Sequence, residues 1–208
     1  MGNFGGIEDK YSDYKSAQVL LQSIPYDGTS TWGKGADQGF ESFLEAAENM
    51  ELYDIETDSE VYKKGIHILP KIEEDSSPEN VYNAVLSRTK ELLKSDKFLT
   101  FFGGEHSISI GIIDAFREKY KGLTVLQLDA HSDLRKSYLG SEYNHACAMH
   151  RASQTTNLIQ IGIRSMDSSE KDYLNKEKCF FAEEMYSDSN WMEESISLMT
   201  DTVYLTID

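Results

Sequence analysis

The sequence predicts an α/β fold built on a mostly parallel sheet. Short apolar runs alternate with amphipathic stretches along the whole chain. Several of those stretches are about 10 to 16 residues long, the length of the crossover helix in a βαβ unit. Only three prolines occur, and no repeat or low-complexity linker interrupts the pattern, so residues 1–208 read as a single domain. A chain of 208 residues with 39% hydrophobic content can bury a sizeable core.

The elements follow in order. Ala17–Ile24 is the first predicted strand, stopped by the turn-forming run Pro25-Tyr26-Asp27-Gly28. Gln38–Asn49 reads as a helix and Gly65–Leu69 as a short strand. In Glu79–Lys94 the apolar residues Val81, Val85, Leu86, Leu92 and Leu93 recur near a helical period. Phe98–Phe102 is a buried strand ended by Gly103-Gly104. Ser107–Tyr120 is a helix with Ile108, Ile112, Ala115 and Phe116 on one side. Leu123–Leu128, Leu158–Ile163 and Cys179–Phe181 are further strands, Trp191–Met199 is helical, and Val203–Ile207 is the last strand.

Charge excludes whole classes of partner. Twenty basic against 36 acidic residues give a formal net charge of -16. Nucleic acids and anionic membranes are polyanions and are repelled by such a surface. A small cationic substrate is compatible with it, as is an ordinary hydrated surface. Cys147 and Cys179 lie far apart in no metal-type spacing and read as reduced thiols of a cytosolic protein. The segment from Met1 to Tyr14 is polar and glycine-rich, without the basic start and apolar run of a signal peptide. No apolar stretch approaches the roughly 18 to 20 residues of a membrane span. A cytoplasmic location is the expectation.

Reactive side chains collect at strand ends, where open α/β sheets place their ligands. One strand leads into Gly103-Gly104-Glu105-His106-Ser107, a second into Asp129-Ala130-His131-Ser132-Asp133, and the last into Asp208. In extended chain, residues i and i+2 point to the same side, so Asp129 and His131 can face one cleft, and Asp133 joins them if the chain curls. Two glycines before His106 let the backbone turn sharply. Three carboxylates in one cleft repel one another unless cations neutralise them. The alternative for Asp-x-His-x-Asp taken alone is a solvated loop. Carboxylates with a minority of imidazoles and no thiolate favour Mn²⁺, with Co²⁺, Ni²⁺ or Fe²⁺ as alternatives, over a zinc site rich in Cys and His. Two such ions about 3.5 to 4 Å apart can share a water and lower its pKa towards neutrality, so the predicted chemistry is metal-assisted hydrolysis.

These residues resemble the arginase/agmatinase (ureohydrolase) family. Gly103-Gly104-Glu105-His106-Ser107 is similar to its first metal motif and Asp129-Ala130-His131-Ser132-Asp133-Leu134-Arg135 to its second. Tyr143-Asn144-His145-Ala146-Cys147, Tyr204-Leu205-Thr206-Ile207-Asp208 and the entry-loop segment Ile24-Pro25-Tyr26-Asp27-Gly28-Thr29 also resemble the family, in the right order. The resemblance implies a three-layer α/β/α sandwich whose sheet has eight strands. It implies two Mn²⁺ per site: His106 and Asp133 bind one ion, His131 the other, and Asp129 and Asp208 bridge them. It implies His145 as the proton shuttle that helps the amine leave, a task suited to a histidine pKa near 6.5. The family's second aspartate of Asp-x-Asp, its guanidinium-binding glutamate and its last, central strand have no counterpart before the chain stops at Asp208. The expectation is therefore a domain incomplete at its C-terminus. If these residues are the whole protein, poor folding, one defective metal position and little hydrolysis are expected, and two tightly held Mn²⁺ per chain would contradict that. A trimer or hexamer is expected by analogy.

Leu134 and Arg135 after the second motif resemble agmatinases, which points to agmatine, hydrolysed to putrescine and urea. Guanidinobutyrate, whose carboxylate Arg135 could meet, arginine and formiminoglutamate are the alternatives. A non-catalytic fragment is the reading from another class. His67 reads as structural and His150 as a surface residue. Glu105 reads as an orienting partner of His106 or a turn cap, and Arg164 as an ion-pairing structural residue. Glu73-Glu74-Asp75 reads as a solvated loop, and Tyr26 and Trp32 as lining the cleft mouth or packing in the core.

Overall fold

A computed structural model describes residues 2–208. Among them are seven strands: β1 Val19–Ile24, β2 Ile66–Ile68, β3 Phe98–Gly103, β4 Thr124–Leu128, β5 Asn157–Ile163, β6 Cys179–Phe181 and β7 Val203–Ile207. The helices are α1 Asp9–Ser12, α2 Gly39–Ala47, α3 Pro78–Leu92, α4 Ile108–Lys119, α5 His150–Thr155, α6 Ala182–Ser187 and α7 Trp191–Ser197. Every expected element is present, with ends within two residues of the expected ones. The helices not expected are α1, α5 and α6. Each has six residues or fewer, too short for an apolar stripe to repeat.

All strand pairings in the two sheets are parallel, as expected, but hydrogen bonding divides the strands between a three-stranded and a four-stranded sheet. The chain likewise divides into two compact units.

The first unit runs to Asp75 and includes Glu91–Glu105, with the sheet order β2-β1-β3. β1 is buried at five consecutive positions, which is why it reads as a continuous apolar run rather than an alternating one. Leu20, Leu69 and Leu92 form its core against Leu99 and Phe101. Phe102 adds an aromatic contact with Phe40 and Phe43, at ring separations of 5.1 and 4.5 Å. Beyond β3, Gly104 presses onto the turn at Tyr26: a Cβ there would lie 1.7 Å from the Tyr26 carbonyl oxygen. The next amide, that of Glu105, donates to the same oxygen at 2.8 Å.

The second unit comprises Ser76–Lys90 and His106–Asp208, with the sheet order β6-β5-β4-β7. Its core joins Ile113, Leu123, Val125, Leu134, Ala148, Met149, Ala152 and Leu158. From Ile108 to Ala115 every residue of α4 is buried, Ser109 and Asp114 included, so this helix shows no solvent face over its first two turns. The β5–β6 register shifts between Ile161 and Ile163. Gly162 stands there at φ 89°, and a side chain at that position would meet the Asp129 carbonyl oxygen at 3.2 Å.

Candidate metal centre

β4 and β7 are hydrogen-bonded neighbours with Leu128 opposite Ile207. The residues that follow, Asp129 and Asp208, therefore emerge side by side at the carboxyl ends of the two strands. His106 lies just ahead of α4 and Asp133 four residues beyond Asp129. Ligand atoms of His106, Asp129, Asp133 and Asp208 all lie within 4.8 Å of one another, and the first three residues are buried. His106 Nδ1 is 2.8 Å from Asp133 Oδ2, 3.3 Å from Asp129 Oδ2 and 3.8 Å from Asp208 Oδ2. Its other nitrogen, Nε2, is 3.0 Å from Thr206 Oγ1.

The curl that brings Asp133 in is specific. The Ala130 carbonyl accepts from the amides of Arg164 and Ser165, and the Ser132 amide donates to Ser165. Asp133 then takes φ 52°, a left-handed conformation that aspartate tolerates better than most residues. Glu170, itself buried, receives the Ser132 hydroxyl at 2.8 Å and the Leu134 amide at 2.7 Å. The Met149 amide closes the curl onto the Asp133 carbonyl at 2.9 Å.

Electrostatics follow from the crowding. Burial acts to lower the His106 pKa, but hydrogen bonds to Asp129 and Asp133 and the charges of Asp133 and Asp208 outweigh it and raise it to about 10. Burial acts against ionised Asp129 as well, yet His106 and the His131 amide hold its pKa below the ordinary carboxylate value. For Asp133 burial wins and its pKa is raised. Three carboxylates facing one imidazolium leave an excess of negative charge in a largely buried space. A divalent cation that displaces the His106 proton would relieve it, so the donor set fits a hard metal ion.

Of the expected ligands, four gather in this cluster. His131 does not: its side chain is 61% exposed, with Nδ1 3.4 Å from Asp129 Oδ1. It borders the cluster on the carboxylate oxygen opposite the one His106 approaches. His145 opens a short 3-10 turn behind Asn144, whose side chain accepts the Ala146 amide, and its ring meets the Tyr138 ring edge-on at 6.1 Å.

Other expected roles shift. His150 is not a free surface residue; its Nδ1 is 2.9 Å from the Leu134 carbonyl oxygen and its ring packs against Tyr173. Glu105 accepts the amide and hydroxyl of Thr29, so it ties down the 27–30 segment. Arg164 donates to the Gly162 carbonyl. Trp32 is 97% exposed and is no core residue, whereas Tyr26 is buried. His67 is structural as expected, 2.7 Å from the Ser12 carbonyl oxygen. Both cysteines are unpaired and buried, and burial pushes their thiols to about 12.

The residues that sequence reasoning missed are Gln127, Gln160, Thr206 and Glu170. The first three had a signal: each is a polar residue flanked by apolar ones within a strand, in Leu126-Gln127-Leu128, Ile159-Gln160-Ile161 and Leu205-Thr206-Ile207. All three are buried.

Residues 17–208 match the family model described as the arginase family. The N(1)-aminopropylagmatine ureohydrolase of Synechocystis sp. is 34% identical over 208 residues, across 95% of this chain and 68% of that protein. The agmatine ureohydrolase of Thermoplasma volcanium has a crystal structure that superposes with a TM-score of 0.84 at 29% identity, over 97% of this chain and 70% of that one. Proclavaminate amidino hydrolase from Streptomyces clavuligerus shares the fold at a TM-score of 0.86 and 19% identity, over 100% of this chain and 73% of that one. These likenesses bear out the α/β class with its parallel strands. By family match and by identity, the chain belongs to the arginase family, a family of hydrolytic enzymes.

Proposed function

We propose that this chain carries a ureohydrolase site that uses two Mn²⁺ ions to cleave the guanidino group of an amine-tailed substrate. Agmatine is the first candidate, giving putrescine and urea. The observation that carries the reading is the cluster of His106, Asp129, Asp133 and Asp208 in a member of the arginase family. The two-ion reading draws support from Asp129: one of its oxygens faces His106 and the other faces His131, as expected of a carboxylate shared between two ions. When bound, the ions supply an activated water as nucleophile. The chain's own part is to hold the ions through those five residues and to deliver a proton to the departing amine from His145.

Substrate choice rests on the tail. Arg135, the residue that could meet a substrate carboxylate, pairs with Asp167 at 3.3 Å and lies over the Tyr138 ring at 4.9 Å. Its charge is thus already engaged, which counts against guanidinobutyrate. The formal charge of -16 favours a cationic tail over an anionic one. Agmatine bearing an aminopropyl extension, named in the Synechocystis relative, fits the same reasoning. The test is urea release with Mn²⁺ from agmatine, aminopropylagmatine, arginine and guanidinobutyrate side by side. The expected result is the highest kcat/KM on the two amine-tailed compounds. A preference for arginine or guanidinobutyrate refutes the substrate choice, and no urea from any of them refutes the activity.

A further inference from the structure

We infer that Gln160, which touches no ligand side chain, governs metal affinity through Gln127, the two amides forming a one-way relay into Asp129. This rests on reading the cluster as a metal centre. Gln127 on β4 and Gln160 on β5 are register partners, and Thr206 on β7 is the partner of Gln127 on its other side. Paired residues on adjacent strands share a face. The three therefore make a polar row across the sheet, one layer below Asp129 and Asp208, which are each two residues further on.

Hydrogen bonding leaves this row a single arrangement. Gln160 Nε2 lies 2.8 Å from the Ser132 carbonyl oxygen, an acceptor only, so that end of Gln160 must be the amino group. The same nitrogen donates at 2.6 Å to Gln127, so the atom it meets must be the amide oxygen. The amino group of Gln127 is then forced toward Asp129 Oδ2 at 2.7 Å and the His131 carbonyl at 3.0 Å, again acceptors only. Both amino groups donate twice, and the chain of constraint runs from Ser132 to a ligand carboxylate. Asp129 Oδ2 is the oxygen nearest His106. The relay fixes where that oxygen points and leaves it further lone-pair capacity for a cation. Thr206 performs the parallel task for His106 Nε2.

The consequence is that a change at position 160 should be felt at the metal. In Gln160→Glu the donors are gone. The Gln127 amide is then drawn to turn its amino group toward the new carboxylate and its oxygen toward Asp129, acceptor against acceptor. Outer-shell partners of metal ligands are worth about 10- to 100-fold in affinity.

The experiment is Mn²⁺ titration by calorimetry on the metal-free full chain and on Gln160→Glu, Gln160→Met, Gln127→Leu and the Gln127→Leu/Gln160→Glu double variant. Melting of each metal-free form is recorded in parallel, and titrations are made well below every midpoint. Gln160→Met keeps the volume without a buried charge and stands in if Gln160→Glu does not fold. The expected result is a loss of about 10-fold or more in affinity for Gln160→Glu and Gln127→Leu, and a smaller but measurable loss for Gln160→Met, which frees the Gln127 oxygen without reversing the amide. The Gln160→Glu change should add nothing once Gln127 is leucine, since the route is then already cut. If the parent chain binds Mn²⁺ and the Gln160 variants bind it equally well, the relay is wrong and the metal reading stands. If Gln160→Glu weakens binding as much in the leucine background, the coupling does not pass through Gln127. A parent chain that takes no Mn²⁺ overturns the metal reading and the relay with it.

Discussion

Replacing Glu170 with alanine removes a carboxylate that is 3% exposed and serves three donors. The Ser132 hydroxyl at 2.8 Å and the Leu134 amide at 2.7 Å are themselves buried. The Asp167 amide at 2.5 Å is part-buried and can turn to water. A buried donor left without a partner costs about 1 to 3 kcal/mol, so the first two together cost about 2 to 6 kcal/mol. Removing the carboxylate also recovers part of the expense of keeping it out of water, which pulls the sum toward about 3 kcal/mol. For a chain of this length about 3 kcal/mol lowers the melting midpoint by about 6 to 12 °C. Glu170→Gln keeps an oxygen for Ser132 and Leu134 and opposes only the Asp167 amide, so it should cost about 1 kcal/mol. The assay is thermal unfolding of metal-free protein followed by circular dichroism. An alanine variant melting within about 2 °C of the parent, or a glutamine variant no better than alanine, would refute this reasoning.

Two further outcomes follow from the same geometry. The pKa of His106 is raised from 6.5 to about 10 in the folded state, so its contribution to metal-free stability is complete below pH 6.5 and is lost as pH climbs through 10. The midpoint measured with a chelator should fall between pH 6.5 and 9.5, and His106→Asn should remove most of that slope. A flat parent profile would contradict it. Gly104→Ala would set a methyl 1.7 Å from the Tyr26 carbonyl oxygen, a backbone atom that cannot swing aside. A loss of about 3 kcal/mol or more in urea unfolding is expected, and a loss under about 1 kcal/mol would count against the close approach.

Strand positions were legible because β1, β3, β4 and β5 are apolar runs bounded by turn residues. The partition into two sheets was not legible, since hydrogen-bond partnership depends on the whole fold rather than on any local pattern. Within the site, period-two reasoning paired Asp129 with His131. The chain instead leaves the strand at Leu128, bridges to Ser165 and bends at Asp133, and it is Asp133 that turns inward. The left-handed turn was foreseeable only as a possibility at an aspartate. Glu170 carried only the local signal of a capping box with Asp167; its role at the curl comes from donors 36 and 38 residues away. The glutamines and Thr206 did give a signal, as buried polar residues flanked by apolar ones within their strands. Such residues need partners when buried: Gln127 finds Asp129, Thr206 finds His106, and Gln160 finds Gln127 and the Ser132 carbonyl.

β7 bears Asp208 at its end and, among the described residues, has a hydrogen-bonded neighbour on one side only. Val203, Leu205 and Ile207 are exposed along it, and the segment Val203–Ile207 holds neither charge nor proline. An edge of this kind is a template for any extended segment that meets it, including another copy of itself. For residues 2–208 taken by themselves, turbidity on concentrating is expected to start at this strand. In that segment Leu205→Lys, outside the polar row and the proposed ligand set, places a charge on the exposed strand and is expected to lower that turbidity.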